Sequence, residues 1–100
     1  MLKFAVVAHE NDNVATAVKE LLQGESVRLD IGGKEHSVTL HEKVAFGHKF
    51  AIGHIPKDGK VVKYGEVIGR ATQDIPTGHY AHVHNIMSDR GRGDLEVKEQ

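Results

Sequence analysis

Cysteine is absent from the 100-residue sequence. Disulfide frameworks, thiolate nucleophiles and Cys-type zinc sites are therefore excluded. No serine-nucleophile elbow takes their place. Tryptophan is also missing, and only two prolines occur. Neither sign of charge dominates: 13 basic residues face 14 acidic ones, a net charge of −1 with histidines neutral. That balance leaves no electrostatic footprint for nucleic acid. No apolar run approaches a membrane span, and "MLKFAVVAHE" lacks the h-region and cleavage site of a signal peptide. A cytoplasmic location is expected, with neither membrane nor nucleic acid as partner.

What the sequence has in excess is histidine, eight residues in 100. Without cysteine, that enrichment points to proton chemistry or to a His/carboxylate metal site. The length suits a single domain, residues 1–100, with a modest core and little room for a deep enclosed site. A binding module, or one piece of a larger assembly, fits that size. Residues 88–100, containing "RGRGD" (90–94), read as a flexible C-terminal tail.

The pattern along the chain is mainly β. "KFAVVAH" (3–9) reads as a short strand. "NDNVATAVKELLQG" (11–24) predicts the one helix: Val14, Ala17, Val18, Leu21 and Leu22 fall on one helical face. Asp12 or Asn13 suits its N-cap and Gly24 its C-terminal end. "SVRLDIGGKEHSVTL" (26–40) predicts a hairpin around Gly32-Gly33. A strict two-residue turn there sets Asp30 opposite Glu35, an unfavourable like-charge pair, so a longer loop is expected. Segments 43–55, 60–71 and 78–86 follow as glycine-punctuated strands, with Tyr64-Gly65-Glu66 as a turn. No internal repeat is evident.

Two stretches carry candidate chemistry. In "HYAHVHNI" (79–86), strand alternation places Tyr80, His82 and His84 on one face. His82 and His84 would then lie about 7 Å apart along the strand, close enough to share a divalent ion or to flank a substrate. The alternative is a half-exposed strand that merely tolerates histidine. Asn85 can hydrogen-bond a hydroxyl or carboxylate. In "FGHKFAIGHIPKDGKVVKYGE" (46–66), His48 and Lys49 follow a glycine, and a lysine there suits an anionic substrate. Lys57, Lys60 and Lys63 read equally as a solvated face. Glu42 and Glu66 are further acid/base candidates.

Taken together, "GHKFAIGHIPKDGKVVKYGEVIGRATQDIPTGHYAHVHNI" (47–86) resembles the SAF module of altronate and galactarate dehydratases. The shared order is GHK, then KYGE-IG-A, then HVHN. The resemblance implies a β-clip fold and a lyase reaction. Water is eliminated from an aldonic or aldaric acid to give a 2-keto-3-deoxy acid. It implies that His82, His84 and His48 serve proton transfer, with Lys49 and Asn85 contacting substrate and His82 and His84 alternatively ligating a metal. A divalent cation (Fe2+, Mn2+ or Mg2+) is expected, held jointly with a large catalytic subunit. That large domain has no counterpart in these residues. The expectation is therefore a small subunit, inactive alone, with a homodimer as a further expected association. Two other readings share the module: the small subunit of a sulfolactate sulfo-lyase, and a non-catalytic SAF carbohydrate-binding module.

Overall fold

The computed structural model describes residues 4–88, and all regular structure in them is strand. The expected tail lies almost wholly outside the described residues. β1 (Ala5–Val6), β2 (Val14–Ala17), β5 (Lys49–Ala51) and β8 (Tyr80–Ala81) form a central antiparallel sheet in the order β1-β2-β5-β8. β3 (Ser26–Ile31) and β4 (Lys34–Thr39) form a hairpin. β6 (Lys60–Lys63) and β7 (Glu66–Ala71) form a second, joined by β9 (Ile86–Ser88). The protein is mainly β, as the sequence pattern and the β-clip resemblance imply.

The helix expected over 11–24 is not there: residues 14–17 are β2, and Leu21 makes a single antiparallel bridge to Val44. The physical reason lies in the supposed cap residues. Asp12 turns its carboxylate to the backbone N–H groups of His9, Tyr64 and Gly65. Asn13 donates to the Lys60 carbonyl and accepts from the Val62 N–H. Both are spent on the β6–β7 hairpin rather than on a helix start. β-branched Val14 and Thr16 suit the strand that replaces it. A single helical face would also have buried Val18 and Leu22, yet these are exposed while Val14, Ala17 and Leu21 are buried.

An internal repeat, not evident in the sequence, is present in the structure. One turn recurs in four places, with its third residue after a buried apolar anchor at positive φ: Gly24, Gly47, Asp58 and Gly78 (φ 89°, 84°, 69° and 86°). Each of these donates its N–H to a carbonyl four residues before a partner turn's anchor: Leu40, Ala17, Ala71 and Ala51 respectively. The anchors Leu21, Val44, Ile55 and Ile75, and the residues six further on (Val27, Phe50, Val61 and Ala81), are all 1% exposed or less. Leu21 bridges Val44, and Ile55 bridges Ile75. The first pair of turns anchors one core cluster and the second pair the other. The described residues thus hold a structural duplication, each half a pair of these turns with a hairpin between them, β3–β4 in the first and β6–β7 in the second. Burial of each aliphatic or aromatic anchor stabilises the fold by roughly 1.5–3 kcal/mol.

The β3–β4 hairpin keeps the strict turn. Ile31 pairs with Lys34, and Asp30 does face Glu35. Arg28, diagonal to Glu35 on the same face, lies 3.4 Å from its carboxylate and offsets the like-charge pair. Gly32 and Gly33 both take positive φ, as a two-residue hairpin turn requires.

Gly78 is the most constrained of the turn glycines. A Cβ there would lie 2.2 Å from the Thr39 carbonyl oxygen, on a backbone already at φ 86°. Gly78→Ala is expected to destabilise the fold by roughly 3 kcal/mol or more, combining left-handed strain with a backbone clash. Urea unfolding compared with the parent chain measures it.

Candidate active site

The site forms where the two halves of the duplication meet. β5 leaves the Gly47 turn of the first half, and β8 leaves the Gly78 turn of the second. Their register sets Lys49 beside Ala81 and Phe50 beside Tyr80. Beyond Ala81 the strand ends. The expected alternation stops here, because residues 82–85 are a turn in which the Asn85 and Ile86 N–H groups both donate to the His82 carbonyl. Asn85 is buried, and its amide is engaged within this turn. Its Oδ1 accepts from the His82 N–H at 2.9 Å, and its Nδ2 donates to the Tyr80 carbonyl at 2.7 Å.

The turn gathers the expected histidines by a different route from strand alternation. The His48 and His82 rings stack with centroids 4.2 Å apart and planes 19° apart. Tyr80 lies 5.5 Å from the His82 ring and 5.2 Å from that of His84. Its hydroxyl is hydrogen-bonded to His48 Nδ1. His48, His82 and His84, named from two separate stretches, therefore form one cluster. Sequence reasoning placed Tyr80 on this face but gave it no role, although it touches all three. Glu42 acts from behind: its Oε2 accepts from the Tyr80 N–H and pairs with His79 Nδ1, both at 3.1 Å. Glu66, the other carboxylate candidate, stands opposite Lys63 in the backbone register at the β6–β7 turn.

Lys49 and His82 line a cavity of about 240 Å³ with Ile68, Val83, Ile86 and Ser88. Partial burial, followed by the nearby charge of Lys63, holds the Lys49 amine below its usual value, with Tyr64 acting in the opposite sense. Lys63 is thus drawn out of the solvated face, and its ammonium also sits 4.8 Å from the Tyr64 ring centre. Burial and then His48, Lys49 and His84 push the His82 imidazole below its ordinary 6.5. The site favours neutral imidazole at His82 and an anion beside Lys49.

The titration is testable. The His82 Cε1–H resonance is expected to titrate with a midpoint below 6.5, and Lys49→Met is expected to raise it. The unfolded chain takes up this proton at the higher pH, so the fold weakens as pH falls below 6.5. An NMR pH series on both forms reads the midpoints.

The histidines do not fit a complete metal set. Among the described residues no group of three or more His, Asp or Glu side chains is placed to hold a metal ion. Stacked imidazoles also send their in-plane lone pairs along nearly parallel planes rather than toward one point.

With this geometry in view, the similarity to known proteins is informative. The family model described as "Altronate/galactarate dehydratase SAF domain" matches residues 3–89. The chain belongs to this family. It is 46% identical over 81 residues to an altronate dehydratase of Escherichia coli, covering 81% of this chain and 16% of that protein. It is 38% identical over 88 residues to an altronate dehydratase of Bacillus subtilis, covering 88% and 17%. The (2R)-sulfolactate sulfo-lyase subunit alpha of Chromohalobacter salexigens is 41% identical over 51 residues, 51% of this chain and 54% of that one. The chain thus spans about a sixth of the length of the dehydratases it matches. These relatives are lyases, which gives this SAF domain a lyase-family relationship. Among the described residues no helix is long and apolar enough to cross a membrane.

Proposed function

We propose that this chain is the small subunit of a sugar-acid dehydratase and acts with a separate large catalytic subunit. The observation that carries this reading is the His48–Tyr80–His82–His84 cluster beside Lys49, in a domain of the altronate/galactarate dehydratase family. A base removes the proton α to the carboxylate, the β-hydroxyl leaves with a proton, and the enol tautomerises to a 2-keto-3-deoxy acid. Both proton transfers suit imidazole, whose ordinary pKa lies near working pH. Lys49 offsets the substrate carboxylate, and Asn85 holds the turn that presents His82 and His84.

A cavity of about 240 Å³ is smaller than most ligand pockets, which span roughly 300–1,000 Å³. In this reading the large subunit closes it, covering Val83, which is 81% exposed at its edge. The divalent ion belongs mainly to the large subunit, since the stacked histidines make no closed ligand set. Lys49→Met is expected to raise KM for the sugar acid about tenfold or more while changing kcat less, because it removes a charge-assisted contact made before and during reaction. Steady-state kinetics on the assembled enzyme separates the two constants.

The sulfo-lyase relative supports a second reading, because its name is that of one subunit of a lyase and the alignment covers 54% of it. Elimination β to a carboxylate is common to both, with sulfite leaving in place of hydroxide. A panel of altronate, galactarate, related sugar acids and sulfolactate, given to the assembled enzyme with divalent metal, decides between them. A 2-keto-3-deoxy acid supports the dehydratase. Pyruvate with sulfite supports the sulfo-lyase, and no product from any substrate leaves the carbohydrate-binding module.

A further inference from the structure

Tyr80 is anchored on both sides of its backbone. Its N–H is bonded to Glu42 and its carbonyl to Asn85, and its backbone pairs with Phe50 of β5. Its ring packs against those of His82 and His84, and its hydroxyl meets His48 Nδ1 with the two rings in planes only 5° apart. A phenol hydroxyl and a neutral imidazole can share one hydrogen bond in two ways. The phenol is the better donor, because its proton is acidic near pH 10 whereas a neutral imidazole N–H has no acidity in that range. The hydroxyl therefore donates and Nδ1 accepts, and the ring's single proton must sit on Nε2.

We propose that Tyr80 is a positioning residue that locks neutral His48 in the Nε2–H tautomer, making His48 the hydrogen-bond donor of the cluster rather than its base. This rests on the dehydratase reading for its consequence but not for its evidence. The consequence is a division of labour. In the dehydratase reading the Nε2–H of His48 is the donor that gives its proton to the leaving hydroxyl. Loss of that proton from Nε2 is balanced as the phenol's proton passes to Nδ1, and the resulting phenolate takes a proton from water after product release. The α-proton must then go to another base. Glu42 enters as the group that fixes Tyr80 from its backbone side, and the orientation of a ring nitrogen by its second partner is a general device.

The test reads the tautomer directly in the folded chain, without any substrate. In 15N-labelled protein at pH 8, long-range 1H–15N correlation distinguishes protonated from bare ring nitrogens. The expected pattern for His48 is a bare Nδ1 and a protonated Nε2. Tyr80→Phe keeps the ring packing and removes only the hydroxyl, so His48 is expected to relax to a tautomer mixture while His79 and His84 keep their spectra. A protonated Nδ1 in the parent chain overturns the proposal, as does an unchanged His48 pattern in Tyr80→Phe. In the assembled enzyme the same variant is expected to lower kcat at least tenfold and to move the alkaline limb of its pH profile. A tautomer lock seen in the spectra of a chain that no lyase substrate turns over would leave this inference standing and sink the dehydratase reading instead.

Discussion

The double variant His82→Ala/His84→Ala is expected to lower turnover of the assembled enzyme by about 10²–10⁴-fold, the range supplied by positioned acid–base groups. The fold should survive it. The His84 side chain is exposed and that of His82 only partly covered. What shapes their turn is backbone: the His82 N–H to Asn85 and the His82 carbonyl to the Asn85 and Ile86 N–H groups. Alanine keeps all of these. Removing His82 does strip one face of the His48 ring, so the two histidines are not independent and single variants need not multiply to the double. Circular dichroism and thermal unfolding check the fold, and product formation checks the turnover. A folded double variant with full activity would make the histidines structural and favour the carbohydrate-binding reading.

A large loss of stability is expected at Asp12. Its buried carboxylate accepts N–H groups from His9 at 3.0 Å, Tyr64 at 3.1 Å and Gly65 at 2.8 Å. Hydrogen bonds to a charged acceptor contribute about 1.5–3 kcal/mol each, and a stranded buried donor costs more than the bond was worth. Asp12→Ala is expected to cost roughly 3 kcal/mol or more, a large share of the ~5–15 kcal/mol that stabilises a typical domain. Asp12→Asn separates charge from geometry. The amide oxygen can still accept from His9 and Tyr64, but its NH2 group then faces the Gly65 donor, so only part of the stability is recovered. The effect reaches the site, since the turn that Asp12 holds carries Lys63 and Tyr64 beside Lys49. Urea unfolding measures the stability. An Asp12→Ala chain as stable as its parent would show that water satisfies these donors and that the carboxylate is not what holds the turn.

The strands of this fold announce themselves through Val27, Leu29 and Ile31 and through glycines at turns, and those readings held. The helix reading failed because Val14, Ala17 and Leu21 have two explanations. A helical stripe buries them together, but so does a strand followed by a bridge, and only the destination of the Asp12 and Asn13 side chains decides. That destination is a hairpin some fifty residues away in sequence, which no local pattern reports. The duplication was visible in principle. "HIPKDGKV" and "DIPTGHYA" share an Ile-Pro anchor and a turn, but the first uses Asp58 at the positive-φ position that glycine holds in the other three turns. In the first half the anchors are Leu21 and Val44, and neither is followed by proline.

The candidate site was legible in its members and illegible in its arrangement. His48, Lys49, His82 and His84 stand out as polar residues in two apolar, glycine-marked stretches. That they converge depends on the β5–β8 pairing, and their stacking depends on the turn at 82–85. Strand spacing alone leaves a chelating pair, a pair flanking a substrate and a merely tolerated pair equally open. The turn turns that pair into a stack around Tyr80, which suits proton transfer better than metal binding.

The most direct test of the account is a three-way comparison: this chain alone, a dehydratase-type large subunit alone, and the two co-expressed. Each is given altronate or galactarate with divalent metal and scored for 2-keto acid. The account predicts product only when both are present, and its loss when the small chain carries His82→Ala/His84→Ala. Full activity from the large subunit alone, or activity from this chain alone, would contradict it.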